Sequence, residues 1–335
     1  MQNAYLVEMK QKSDKLRIVI TAQFPRIRGN FARGGPEQLS GDPPTAIQSF
    51  RVHPASPFYL ILPFMGQKKL IRFEAIKSFP NVLQYPEGMA GQWSAFFKND
   101  HPLTLELACG KGEYTVGLAK MYPHRNFIGV DIKGNRLYIG AKTCLEENIR
   151  NAAFLRTHID KLPDYFSKNE VAEIWLTFPD PQLRKSRVTR RLTHPKFIRL
   201  YQDILIPRGR IHLKTDSPVL YQFTKWVIEL YGLHLLVDIP DIDAGVDGEV
   251  GARIDAAVGG AIGGAVAREL GIRTHYESLD IAQSNRIHYL SFTLPETPLP
   301  DKDHHLLERV KNDEPSPPAR PSRPPRIKKS HERAD

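Results

Sequence analysis

The chain has 335 residues, 41% of them hydrophobic, enough to bury a sizeable core in one large domain or two smaller ones. Its formal net charge of +10 favours a polyanionic partner, and its two cysteines, Cys109 and Cys144, provide neither a disulfide framework nor a zinc-ligand spacing. No run of about 20 apolar residues is available to span a bilayer and no apolar stretch leads into a cleavage site near the N-terminus, so a cytoplasmic protein without a membrane role is expected.

Residues 1–64 carry eight Lys or Arg against four Asp or Glu, with Pro and Gly scattered through Phe24 to Pro63. They read as an irregular extension in which Leu16 to Ala22 and Phe58 to Leu62 are the only strand-like pieces. From Met65 the texture changes: Lys68, Lys69 and Arg72 precede Phe79, Val82, Leu83, Tyr85, Trp93, Phe96 and Phe97, aromatic and apolar residues suited to covering the core that follows.

From Leu103 onward strands and helices alternate at spacings that predict βαβ units and a parallel sheet. The expected strands are Leu103 to Cys109, Asn126 to Asp131, Ala153 to His158, Ala172 to Phe178, Gly209 to Lys214, His234 to Ile239 and Arg286 to Leu294. Helical patterns fill Glu113 to Met121, Arg136 to Arg150, Pro195 to Leu205 and Ser217 to Tyr231. Residues 243–271 contain eight glycines and read as a flexible Gly/Ala-rich insertion, the uncharged part being too short to cross a membrane. Residues 297–335 read as a Pro-rich basic disordered tail.

The stretch Leu105-Glu106-Leu107-Ala108-Cys109-Gly110-Lys111-Gly112 is a strand running into two closely spaced glycines and then a helix, and Asp131 ends the next strand. Such a turn serves dinucleotides or S-adenosylmethionine. A dinucleotide site wants a third glycine three residues after the second, and here the next one, Gly117, comes too late. Glu106 would repel a pyrophosphate yet favour a cofactor carrying a sulfonium and an ammonium, unless it pairs inside the core instead. Asp131 is placed to accept from ribose hydroxyls, and Asp160 either reaches the adenine end or caps a short helix.

The fourth expected strand enters Phe178-Pro179-Asp180-Pro181, in which two prolines stiffen a loop around one carboxylate at the carboxyl edge of the sheet. Next to it, Arg184, Lys185, Arg187, Arg190, Arg191, Lys196 and Arg199 lie in a run with no acidic residue, a pattern suited to nucleic-acid phosphates.

With these motifs in this order, the sequence resembles the tRNA (guanine-N7-)-methyltransferase family, its bacterial branch in particular, over about Met65 to Leu294. The resemblance implies a class I S-adenosylmethionine-dependent, Rossmann-like α/β domain over residues 65–296, with a mostly parallel seven-stranded sheet and an antiparallel last strand. It implies methyl transfer from S-adenosyl-L-methionine to guanosine 46 of the tRNA variable loop, giving 7-methylguanosine. Carried over by residue, the cofactor would be held by Glu106, Gly110, Gly112, Asp131 and Asp160, and the base would meet Asp180 as catalytic residue. The substrate side would be Lys185, Arg190, Arg191, Asp216, Thr274 and Glu277, with no metal.

Three positions depart from the family pattern: Ala108 stands at a usual glycine, the basic run is expanded around Arg187 and Val188, and the Gly/Ala-rich insertion precedes Thr274-His275-Tyr276-Glu277. Family members begin with a stretch like Met65-Gly66-Gln67-Lys68-Lys69, which makes Met65 a candidate start of translation. Another S-adenosylmethionine-dependent RNA methyltransferase and a non-catalytic tRNA-binding protein are the alternative readings, and monomer and homodimer both stay open.

Overall fold

A computed structural model describes residues 6–11, 16–21, 64–242, 260–275, 277 and 286–315. The chain divides into two compact units, Met1–Leu60 and Ile61–Asp335. In the first, β1 (Leu6–Gln11) and β2 (Leu16–Thr21) form an antiparallel pair with Leu6 opposite Thr21. The strand expected at Leu16 is therefore present within the segment read as irregular, while the piece at Phe58 to Leu62 lies outside the described residues.

The second unit is built on one twisted sheet. Its strands are β3 (Val82–Gln84), β4 (Leu103–Leu107), β5 (Asn126–Asp131), β6 (Ala152–Arg156), β7 (Val171–Thr177), β8 (Leu205–Thr215), β9 (His234–Ile239) and β10 (His288–Thr293). Their order across the sheet is β3-β6-β5-β4-β7-β8-β10-β9. The pairings from β3 to β8 are parallel, and β10 runs antiparallel to both β8 and β9, as expected of the last strand.

The sheet has eight strands rather than seven. The addition, β3, pairs with β6 through only three residues, too short for any alternation to register in the sequence. β4 stops at Leu107 rather than Cys109 because Ala108 already has φ +58, outside the strand region.

Helices α1 (Phe64–Ala75), α2 (Trp93–Phe97), α3 (Glu113–Met121), α4 (Gly134–Glu146), α5 (Pro195–Ile204) and α6 (Pro218–Tyr231) connect and flank the strands. Pro195 and Pro218 each occupy the first turn of their helix, where no backbone donor is missed, with His194 and Ser217 capping. Buried residues form two clusters. One contains Leu105, Ile174, Leu213, Phe223 and Leu306, and the other contains Tyr114, Phe154, Trp175, Val266 and Tyr289.

Two expectations are corrected over part of their length. Within the segment read as a flexible insertion, Gly260–Leu270 is a helix that buries Val266 and Leu270, one turn apart, in the second cluster. Small residues concealed it, because composition registers flexibility while packing depends on which few positions are large. Residues 243–259 lie outside the described ones.

The segment read as a tail likewise contains a helix, Asp303–Asp313, with Leu306 and Val310 buried four residues apart. It is tied down by Arg199 donating to Asp303 at 2.8 Å and 3.2 Å, and by the Tyr231 hydroxyl donating to the same carboxylate at 2.5 Å. Residues 316–335 lie outside the described ones.

Candidate active site

Strand order reverses at β4 and β7: the chain places β5 and β6 on one side of β4 and β7 and β8 on the other. Open parallel sheets bind ligands in the crevice beyond the carboxyl ends of strands at such a switch point. The glycine turn leaves β4 there and the Asp180 loop leaves β7 there, so topology alone brings the two sequence motifs to one edge.

At the glycine turn, Ala108, Gly110 and Gly112 all have positive φ, of +58, +59 and +74. A Cβ on Gly112 would sit 2.5 Å from the Phe154 ring, so glycine is required there by both conformation and space. Asp131, buried at the end of β5, accepts from the Gly110 amide through Oδ2 at 3.0 Å and from the Lys133 amide through Oδ1 at 2.8 Å. The carboxylate is thereby fixed at the strand end, with oxygen lone pairs to spare for a sugar hydroxyl.

Glu106 is 3% exposed in mid-sheet. Its Oε2 accepts from the Thr115 amide at 2.8 Å and the Thr115 hydroxyl at 2.5 Å, and its Oε1 from the Thr177 hydroxyl at 2.6 Å. It therefore binds an otherwise orphaned donor in the first turn of α3 and ties that turn to the end of β7. Burial pushes its pKa up to about 7, only partly offset by hydrogen bonds from Thr115 and Thr177. A cationic ligand nearby would favour its charged form. Thr115 and Thr177 were not anticipated, although a threonine at the third helical position and another at a strand end are both suited to a buried carboxylate.

In the second loop, Phe178 and Gln182 have φ of +46 and +47, values that side chains resist. Asp180 is exposed between them, and its Oδ1 accepts from the Gln182 amide at 3.0 Å, an Asx-type contact that stiffens the loop. Residues Lys185–Arg190 form a 3₁₀ helix. Among the described residues, Arg184, Arg187 and Arg190 are exposed and have no carboxylate partner.

The four other members of the basic run are already engaged, Arg199 with Asp303 as described above. Arg191 is fully buried: its guanidinium pairs with both oxygens of Glu314 at 2.6 Å and 2.8 Å and donates to the Pro181 and Gln182 carbonyls at 3.0 Å and 3.3 Å. It cannot meet a phosphate as the sequence reading expected, because four of its five N–H groups are in use and none of its surface is open. Lys185 donates to the Lys311 carbonyl at 2.9 Å, and Lys196 pairs with Asp160. Asp160 lies in the 3₁₀ helix Ile159–Asp164 after β6, half exposed, and meets the first turn of α5 through Lys196.

Lys214, at the end of β8, has no exposed surface. Its ammonium donates to the Leu270 and Ile272 carbonyls at 2.8 Å and 3.1 Å and to Glu277 at 3.1 Å, and sits 5.6 Å from the Phe178 ring centre. Thr274 and Glu277 close a reciprocal pair: the Thr274 amide donates to Glu277 and the Glu277 amide to the Thr274 hydroxyl, both at 3.2 Å. That is a capping box, legible in the Thr-x-x-Glu spacing. Asp216 follows β8 directly, half-buried. Lys214 was missed, because β8 also carries Arg208, Arg210 and His212 and a further basic residue does not stand out among them.

Glu106, Gly110, Gly112 and Asp131 thus form one connected unit around the glycine turn. Asp180 heads a second, and Thr274 and Glu277 a third, which Lys214 joins to the Phe178 end of the Asp180 loop. Among the described residues no group of three His, Cys, Asp or Glu is arranged to hold a metal. A mostly parallel sheet with an antiparallel last strand, a glycine turn under an acidic strand end, and a stiff Asp loop at the switch point define a Rossmann-like methyltransferase. The family profile described as a putative methyltransferase matches residues 100–247.

The chain is 46% identical over 234 residues to the tRNA (guanine-N(7)-)-methyltransferase of Porphyromonas gingivalis, spanning 66% of this chain and 87% of that one. It is 41% identical over 241 residues to the corresponding protein of Bacteroides fragilis, spanning 69% and 88%. With that of Christiangramia forsetii it shares 47% over 188 residues, spanning 53% and 84%. The chain belongs to the tRNA (guanine-N(7)-)-methyltransferase family.

Proposed function

We propose that this protein methylates N7 of guanine in tRNA, with S-adenosyl-L-methionine as donor and guanosine 46 of the variable loop as the target. The observation that carries the reading is the match to the Porphyromonas gingivalis protein of that name across 87% of its length. The chemistry of the glycine turn fits this donor: two carboxylates, Glu106 and Asp131, surround a turn that a sulfonium- and ammonium-bearing molecule would enter. When bound, S-adenosyl-L-methionine supplies an electrophilic methyl group on a cationic sulfur.

The residues divide the work. Asp131 accepts from ribose hydroxyls, the Gly110 and Gly112 backbone allows close approach, and Glu106 fixes the first turn of α3 while adding negative potential. Guanine N7 has an in-plane lone pair and no proton to lose, so alignment rather than general-base catalysis is the task. Asp180 accepts from the guanine N1–H and exocyclic amine, and its charge favours the cationic product ring. Thr274, Glu277 and Asp216 border the base, and Arg184, Arg187 and Arg190 hold phosphates. Presenting the base requires unstacking it, at a cost of a few kcal/mol.

Among the described residues no helix is long and apolar enough to cross a membrane. The reading places the protein in the cytoplasm with its tRNA substrate, as a monomer or homodimer, which sedimentation distinguishes. Incubating tRNA with the protein and S-adenosyl-L-methionine, then digesting to nucleosides for mass spectrometry, should yield 7-methylguanosine. Its absence under conditions where the cofactor binds would overturn the reading in favour of a non-catalytic binder, and a different methylated nucleoside would point to another RNA methyltransferase.

A further inference from the structure

We propose that Glu314 and Arg191 are positioning residues that hold the Asp180 loop in its working conformation, so that the C-terminal helix, beyond the matched residues 100–247, is part of the catalytic apparatus. The proposal rests on the reading of Asp180 as the residue that grips the base. Its physical basis is a chain of direct contacts from the C-terminal helix to the loop. The loop carries two non-glycine residues at positive φ, Phe178 and Gln182, so its conformation has to be imposed by its surroundings.

The Arg191 side chain supplies the restraint, donating to the carbonyls of Pro181 and Gln182, the two residues directly after Asp180. The guanidinium lies 4.6 Å from the Phe223 ring centre and is itself aimed by the bidentate Glu314 carboxylate. Both side chains are almost completely buried, at 0% and 2% exposure, so neither is screened or free to swing.

Glu314 is in turn held by its helix. Leu306 and Val310 are buried, Arg199 and Tyr231 grip Asp303 at the start, and Lys185 donates to the Lys311 carbonyl in the last turn. Lys185 and Arg191, both expected from sequence on the substrate side, instead reach from the segment that follows the Asp180 loop to the same C-terminal element. A phosphate contact by Arg191 would leave Glu314 buried without its partner, an arrangement that proteins avoid.

Two variants test the proposal. Glu314→Gln keeps the shape and removes the charge that aims Arg191. The double variant Arg191→Met with Glu314→Leu replaces the pair by apolar groups of similar size, which folds commonly tolerate, and removes both hydrogen bonds to the loop. Three readouts apply: kcat with saturating tRNA, tRNA affinity against salt concentration, and amide hydrogen exchange across residues 178–182.

Positioning predicts a kcat lower by roughly tenfold to a hundredfold, as for misplacement of a catalytic group by about 1 Å. tRNA affinity and its salt slope stay within about twofold, and exchange in 178–182 becomes faster while strand β4 stays protected. A folded double variant with wild-type kcat and wild-type exchange would overturn the proposal. So would a fall in salt slope by about one unit at unchanged kcat, which identifies Arg191 as a phosphate ligand. Should the wild-type protein leave tRNA unmethylated, the functional reading fails, and exchange at 178–182 still decides whether the pair holds the loop.

Discussion

Replacing Glu106 by Gln removes a buried charge while keeping the hydrogen-bond pattern, since an amide oxygen can accept from Thr115 and the amide nitrogen can donate to the Thr177 hydroxyl. Burial raises the carboxyl from its ordinary value of 4.5 to about 7 in the folded protein. A raised carboxyl binds its proton more tightly when folded. Its full contribution is therefore present below about pH 4.5 and is lost as pH rises through about 7.

At about 1.36 kcal/mol per pH unit, the interval from 4.5 to about 7 corresponds to roughly 3 kcal/mol, most of it lost between pH 5 and pH 8. Glu106→Gln should escape that loss. The assay is urea denaturation of both proteins, without cofactor, at steps from pH 5 to pH 8, with the difference in unfolding free energy plotted against pH. Other titrating groups cancel in the difference. The gap should move in favour of the variant by roughly 2 to 3 kcal/mol across that range, and a gap independent of pH would show that Glu106 is charged in the folded protein throughout.

Other consequences are separable. Asp180→Ala should lower kcat by at least about a hundredfold while leaving tRNA binding within about twofold, because in the proposed reading this exposed loop carboxylate aligns the base rather than gripping the backbone; filter binding alongside a methylation assay reads both. Replacing Arg184, Arg187 and Arg190 together should flatten the plot of log affinity against log salt by roughly one unit for each phosphate no longer neutralised, with kcat at saturating tRNA retained. Ala108→Gly should raise stability by about 1 kcal/mol, seen as a higher melting temperature, because Ala108 sits at φ +58 where a methyl group is strained. An unchanged or lower melting temperature would contradict that assignment of strain.

The parts of the site that were legible in the sequence are those whose chemistry is local. A strand, two glycines and a helix fix a turn within a dozen residues, and Asp131 follows at the end of the neighbouring strand, so its bond to the Gly110 amide is a consequence of parallel pairing. Phe-Pro-Asp-Pro is equally local, since each proline restricts the backbone beside it. Arg191 shows where local reading stops. Within a run of basic residues it looks like its neighbours, and its partner Glu314 is 123 positions away, in a segment whose prolines and charges masked a helix.

Lys214 fails for a related reason: its carbonyl partners, Leu270 and Ile272, lie at and just beyond the end of a helix that glycine content concealed. The short strand β3 carries too few residues for periodicity to register. In each case the missing information is which distant surface a residue meets, and that is decided by packing.

Methylation of two tRNA transcripts, one with guanosine 46 and one with adenosine at that position, tests the central claim most directly. After incubation with the protein and S-adenosyl-L-methionine, each is cut by ribonuclease and the fragments weighed. One added methyl group should appear in the fragment holding guanosine 46, as 7-methylguanosine, and none in the adenosine transcript. Equal methylation of both transcripts, or a methyl group in another fragment, would contradict the account.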